Sequence, residues 1–203
     1  MKLLFAASLL LLAGCPQKPD CPIGFIGDPQ KAPEAVVLWT DGVSGQFHEL
    51  TDGQALPLEP PPQGGYVMYV GAKVRNVEGC GLQFSATMYD QMTGAQVGFD
   101  ARSTDLTVGA DGWGYPQSNN SNVSNVNGCP QVSTKDVQGV TYNLRMIVTD
   151  KRGRSVTIDH PIVPTCAASD PDEQQHCLCT CSKNYYPGKC PLHAPDDGGP
   201  DRD

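Results

Sequence analysis

Basic residues are scarce in this 203-residue chain: 14 Lys and Arg stand against 22 Asp and Glu, and nowhere do they cluster. An acidic chain of formal net charge −8 without a basic run has no electrostatic footprint for nucleic acid or for an anionic lipid surface. Long apolar runs are missing too. The longest, Leu3 to Leu12, covers about ten residues where a spanning helix needs roughly twenty. Nor is there convincing helical periodicity, which removes helical bundles and alternating α/β folds. No serine or cysteine stands in a nucleophile-elbow context, and His48 and His160 fall on separate strand-like segments. The carboxylates lie mostly in turns, where aspartate serves local hydrogen bonding. Neither an enzyme nor a cofactor is expected.

What is present begins with Lys2, the apolar run Leu3–Leu12, and then Leu12-Ala13-Gly14-Cys15 followed by Pro16. A positive residue, a short apolar core and small residues form an export signal. The tetrapeptide resembles the lipobox of bacterial lipoproteins. That resemblance implies removal of residues 1–14, a diacylglycerol on the Cys15 thiol and an acyl group on the new amine. Several buried acyl chains anchor firmly, each methylene contributing about 0.8 kcal/mol. Pro16 and Gln17 lack the aspartate that holds such proteins at the inner membrane, so the resemblance implies the outer membrane. Loss of Lys2 with the signal brings the net charge to −9.

Nine cysteines less Cys15 leave Cys21, Cys80, Cys129, Cys166, Cys177, Cys179, Cys181 and Cys190. An even number in an oxidising compartment reads as up to four disulfides, with 105 connectivities open. A Cys80–Cys129 bridge closing the loop between them is one expectation.

Residues 15–33 read as a lipidated, flexible tether, since Pro16, Pro19, Pro22, Pro29 and Pro33 favour extended backbone. Cys21 lies within it and can staple part of it to the body. Strand signals start at Ala35–Thr40, with a weaker Gln46–Leu50 segment after the Asp41-Gly42 turn. Glu59–Gly65 is a loop by composition. In Tyr66–Val77, Val70, Ala72 and Val74 alternate with Lys73 and Arg75, and Leu82, Phe84, Ala86 and Met88 alternate with polar residues. Val97, Phe99 and Ala101 carry a third strand, and Leu106–Val108 an edge strand. Gly109–Gly128, rich in glycine and asparagine, reads as a long exposed loop. Its large side chains, Trp113 and Tyr115, are the candidate ligand contacts, to an envelope protein or a glycan.

Tyr142, Leu144, Met146 and Val148 alternate next, and Asp150-Lys151-Arg152-Gly153 forms a hairpin connection to a strand through Val156 and Ile158. Gly139-Val140-Thr141-Tyr142-Asn143-Leu144 resembles the tyrosine-corner region of immunoglobulin-like domains. The resemblance spans Ala35 to Pro164. It lacks the core cysteine, whose place Leu144 takes, and the core tryptophan. It implies an all-β, immunoglobulin-like antiparallel β-sandwich over residues 34–164.

Residues 165–190 form a cysteine-rich segment, too cramped for an apolar core and so stapled by disulfides. Cys179-x-Cys181-x8-Cys190, with Tyr185, Tyr186 and Gly188, resembles the closing half of an EGF-like module. Residues 191–203 read as a disordered acidic tail. Cys177, Cys179, Cys181 and Cys190 with His176 and His193 raise zinc, but C-x-C-x-C in an exported protein is bridged far more often than metallated. Neither Asp170, Asp172 and Glu173 nor Asp196–Asp203 has the spacing of a calcium loop, so no metal is expected. Asn119-Asn120-Ser121 and Asn122-Val123-Ser124 match glycosylation acceptors by chance composition. The expected protein is lipid-anchored and non-enzymatic, with the membrane as its first partner.

Overall fold

A computed structural model describes residues 21–42, 44–117, 121–130 and 135–190. The expected signal, Cys15 as the expected lipidation site, residues 15–20 of the expected tether, His193 and the expected acidic tail lie outside the described residues. The first half of the chain carries β1 (Phe25–Ile26), β2 (Glu34–Thr40), β3 (His48–Glu49), β4 (Gln54–Pro57), β5 (Tyr66–Arg75), β6 (Val77–Glu78) and β7 (Leu82–Asp90). The second carries β8 (Gln96–Thr104), β9 (Leu106–Val108), β10 (Gly114–Pro116), β11 (Ser124–Cys129), β12 (Tyr142–Thr149), β13 (Ser155–Thr165) and α1 (Pro171–Thr180). Among the described residues no helix is long and apolar enough to cross a membrane.

The fold is an all-β sandwich. One sheet runs β3-β2-β5-β10-β9, with β11 also paired to β5; the other runs β4-β13-β12-β7-β8. The order β13-β12-β7-β8, antiparallel throughout, is that of the G-F-C-C′ strands of a variable-type immunoglobulin sheet. Tyr142 opens β12 as the resemblance implies, its hydroxyl donating to the Asp136 carbonyl six residues upstream at 3.3 Å.

Alternation in three strands builds the core. Met68, Val70, Ala72 and Val74 of β5 face Leu82, Phe84, Ala86 and Met88 of β7 and Leu144, Met146 and Val148 of β12, all within the same buried cluster. Each large side chain so buried contributes roughly 1.5–3 kcal/mol. In the β12–β13 hairpin the Gly153 N–H donates to the Asp150 carbonyl at 2.9 Å, and Gly153 takes a φ of 78°. Asp150 locks the turn by accepting from the Arg152 and Arg154 amides and from the Arg154 guanidinium.

Five expectations need correction. Phe99 does not face the core: β8 carries a bulge opposite Met88 and Tyr89, and the extra residue turns Phe99 outward, 48% exposed. Gly98 then meets β11 so closely that a Cβ would collide with the Asn127 carbonyl. The Gly109–Gly128 stretch is not one exposed loop. It supplies β10 and β11, and Val123, Ser124 and Val126 are wholly buried, the small residues of β11 fitting against β5. The proposed Cys80–Cys129 bridge does not form; the pairs are Cys21–Cys80, Cys129–Cys181, Cys166–Cys177 and Cys179–Cys190. Residues 21–33 are held rather than flexible: Cys21 staples them to the body through Cys80, as its place in the segment allowed, and beyond that β1 pairs with β6, and the Asn76 side chain accepts from Asp28 N and donates to Ala32 O.

The fifth concerns residues 165–190, which are no separate unit. Cys166, Cys177 and Cys181 join the sandwich core. The spacing likened to an EGF-like module folds as the end of α1, with Cys179 inside the helix and Cys181 as its C-cap. Asp170 caps the N-terminus by accepting from Glu173 N at 2.9 Å, Pro171 opens the helix, and Asp172 and Glu173 favour its positive end. Two disulfides then hold the helix to the sandwich, through Cys129 of β11 and through Cys166 just beyond β13.

Candidate functional site

Trp113 and Tyr115 sit on the outer face of the first sheet. Gly114 between them points inward, where a Cβ would strike Ile26 and Leu106 side chains at 2.6 and 2.7 Å, so its neighbours must point out. Both are half-buried. The Trp113 ring lies 4.6 Å from the Arg75 guanidinium and 5.4 Å from the Lys73 ammonium. Arg75 is paired with Glu34 at 2.8 Å, and Lys73 with Glu49. The Tyr115 hydroxyl donates to Asp111 at 2.7 Å. This bond is the main reason the Asp111 carboxyl is held below its usual range, and the Tyr115 phenol above its own. The pair is therefore a fixed part of a cation-and-aromatic face rather than a pair of side chains on a free loop.

A second site has no counterpart among the expected contacts. It lies at the end of the sandwich where α1 packs. The Tyr66 ring is in the core at 1% exposure, and its hydroxyl reaches two residues of α1. It donates to Glu173 Oε1 at 2.5 Å and stands 2.7 Å from His176 Nδ1. A phenol has one proton. With that proton given to the carboxylate, Nδ1 must carry its own and donate to the Tyr66 oxygen. The chain His176 Nδ1–H, Tyr66 O–H, Glu173 carboxylate fixes Nδ1 as a donor, and in the neutral imidazole this makes Nε2 the lone-pair nitrogen. Burial, then the bond to Glu173, holds the Tyr66 phenol well above its ordinary pKa, so it stays protonated. Glu59 is also pushed up, by burial first and then by the charges of Asp41 and Glu173.

Beside His176 opens a cleft of about 410 Å³ lined by Gln63, Gly64, Gly65, Pro130, His176, Thr180, Tyr185, Gly188 and Cys190. His176 and Thr180, four apart, share one face of α1. Thr180 is 4% exposed, and its Oγ1 has no hydrogen-bond partner among the described residues. A larger hollow of about 540 Å³ lies by Tyr89, Asp90, Asn143 and Arg145. Its charges are already matched, Arg145 with Asp159 and Asp90 with Lys135.

The other sequence candidates are occupied. His48 stacks on Trp39 and His160 bonds to Asp52, so the two histidines serve different contacts. Of the acidic trio, Asp170 is the helix cap and Glu173 holds Tyr66. The sulfurs of Cys166, Cys177 and Cys181 come within 4.8 Å of one another, with Cys177 and Cys181 at 3.9 Å. All three are in disulfides, as are Cys179 and Cys190, and a disulfide sulfur is not the thiolate that binds a metal. No family model matches the chain, and no curated protein matches it in sequence, so the functional reading rests on these residues themselves.

Proposed function

We propose that this chain is a lipid-anchored protein of the bacterial envelope, non-enzymatic, that presents an immunoglobulin-like sandwich for binding or assembly. One observation carries the proposal. Four disulfides use eight of the nine cysteines, and the ninth is Cys15 of the Leu-Ala-Gly-Cys motif. Full pairing suits an oxidising compartment beyond the cytoplasm. An odd cysteine left over in such a chain needs its own chemistry, and a thioether-linked lipid supplies it. The absence of aspartate after Cys15 favours the outer membrane.

The partner surface in this reading is the Trp113, Arg75 and Tyr115 face, the residue types that dominate binding hot spots. Held by ion pairs and by the Tyr115–Asp111 bond, it would lose little side-chain entropy on contact. The rival, a passive spacer, gives no role to such a face.

Fractionation of cells expressing the chain and its Cys15→Ser variant tests the anchor. The native chain is expected in the membrane fraction and the variant in the soluble exported fraction. Equal distribution of the two would remove lipidation from the account. Crosslinking on intact cells with native and Trp113→Ala chains tests the partner face: a specific adduct lost in the variant supports binding, and its absence from both leaves the spacer.

A further inference from the structure

We infer that the cleft between α1 and the loop at residues 63–65 is a binding site for a small, neutral, hydroxyl-rich molecule, a saccharide by chemical class. The site is separate from the Trp113 face and does not depend on the anchor.

Three observations carry it. The first is Thr180, which lines the cleft and whose hydroxyl is buried with no partner among the described residues. Native proteins leave few such groups, and each one calls for an explanation. Oγ1 is itself covered, so a ligand hydroxyl that exchanges hydrogen bonds with it must draw the Thr180 side chain toward the cleft. The second is the set tautomer of His176. Tyr66 and Glu173 fix Nδ1 as the donor, so the neutral ring has Nε2 as its acceptor, and His176 is a lining residue of the cleft where a sugar hydroxyl can donate to it. A histidine fixed by a phenol and a carboxylate from behind is more than packing requires.

The third is charge. Among the described residues, no lysine or arginine lines the cleft, so an anion finds no counter-charge there. Glu173 stands behind His176 and would repel one. A cation fares no better, because among the described residues no carboxylate lines the cleft and Glu173 already accepts from Tyr66. What remains is a neutral ligand that exchanges hydrogen bonds with Thr180, His176 and the Gln63 amide. Tyr185 and Pro130 add apolar surface for the faces of a sugar ring. The volume of about 410 Å³ falls within the roughly 300–1,000 Å³ of small-molecule sites.

The test titrates the intact disulfide-bonded protein with glucose, galactose, N-acetylglucosamine, maltose, cellobiose and glucose 6-phosphate, read by saturation-transfer NMR and by the His176 ring resonances. At least one neutral probe is expected to bind with a millimolar or tighter constant and to shift the His176 ring. Thr180→Val should weaken that probe about tenfold, the loss of one good hydrogen bond. His176→Phe should weaken it comparably, and Trp113→Ala should leave it unchanged. Glucose 6-phosphate should bind more weakly than glucose. The inference is overturned if no neutral probe binds, if both cleft variants bind as the native chain does, or if the phosphate binds best. Thr180→Val keeps the shape of the side chain, so its circular dichroism spectrum separates a lost ligand from a lost fold.

Discussion

Replacing Thr180 with valine should make this protein more stable, although the residue lies 4% exposed at the end of a helix fixed by disulfides. The side chains have the same shape, and valine and threonine have similar helix propensities. The difference is the hydroxyl. A hydroxyl removed from water without a partner costs about 1–3 kcal/mol, and Thr180 Oγ1 has no such partner among the described residues. Valine removes the penalty and places a methyl group in the same space. The valine variant should therefore gain about 1 kcal/mol over the native chain, which for a domain of roughly 150–250 residues raises Tm by about 2–4 °C. Thr180→Ser is the control, keeping the hydroxyl and losing the methyl; it should cost about 0.8 kcal/mol, one buried CH₂ equivalent. Denaturant unfolding without reductant, followed by tyrosine and tryptophan fluorescence, measures both. A valine variant less stable than native by 1 kcal/mol or more would mean that the hydroxyl is satisfied, and the case for the cleft would lose its first observation. A stabilising variant that also loses a ligand has the signature of a site maintained at a cost in stability.

Further outcomes follow from the same geometry. Tyr66→Phe keeps the core ring but strips the hydroxyl between Glu173 and His176, and should cost about 1–3 kcal/mol in denaturant unfolding. Removing the Cys21–Cys80 bridge, which spans 59 residues, should cost about 4 kcal/mol by loop-closure entropy, against about 3 for the Cys179–Cys190 bridge of separation 11; equal losses would discredit the entropic ranking. Trp113→Ala should cost no more than about 1 kcal/mol per lost cation–π contact, with Arg75 and Lys73 still paired to their carboxylates. Acid should destabilise the fold. The ion pair with Lys135 and the Thr93 amide hold Asp90 at about 2 despite burial. For Asp150, burial alone would raise the pKa, but Arg154 and three backbone amides outweigh it and hold the carboxyl low. Both carboxylates therefore contribute stability above the ordinary aspartate pKa of about 4, and that contribution is lost as pH falls below it, for Asp90 towards about 2. Asp150→Asn should flatten that decline.

The strands whose alternation pairs large apolar side chains with polar ones could be read directly from the sequence. β5, β7 and β12 are such strands, and the tyrosine corner and the Asp150–Gly153 hairpin followed from local residue chemistry. The strand through Val97, Phe99 and Ala101 was legible as β8, but not which way Phe99 faces, because nothing in Val97-Gly98-Phe99 marks the bulge. β11 escaped because its inward residues, Ser124, Val126 and Gly128, are small and set among asparagines, so a strand packed against β5 looked like solvated loop. The helix had no apolar stripe to find; its cap, its Pro171 start and two disulfides stabilise it. Asp170-Pro171 followed by Glu173 was the available signal, and it would have put Glu173 and His176 one turn apart on a common face. Tyr66 could not have been added to them. It lies 107 and 110 positions away, and only the path of β5 to the α1 end of the sandwich brings it there. The pairing of eight cysteines was open for the same reason: Cys21 and Cys80 meet because β1 pairs with β6, and spacing does not encode that.

The most direct test of the account is the mass of the protein isolated from the membranes of cells that export it, alkylated before and after reduction. The account predicts an N-terminal residue Cys15 carrying diacylglycerol and an amide-linked acyl chain. It predicts no alkylation before reduction, and eight added alkyl groups after it, two for each bridge. A ninth alkyl group, placing a free or disulfide-bonded thiol at Cys15, would contradict the lipid anchor. Alkylation of any of the other eight before reduction would contradict the bridged fold.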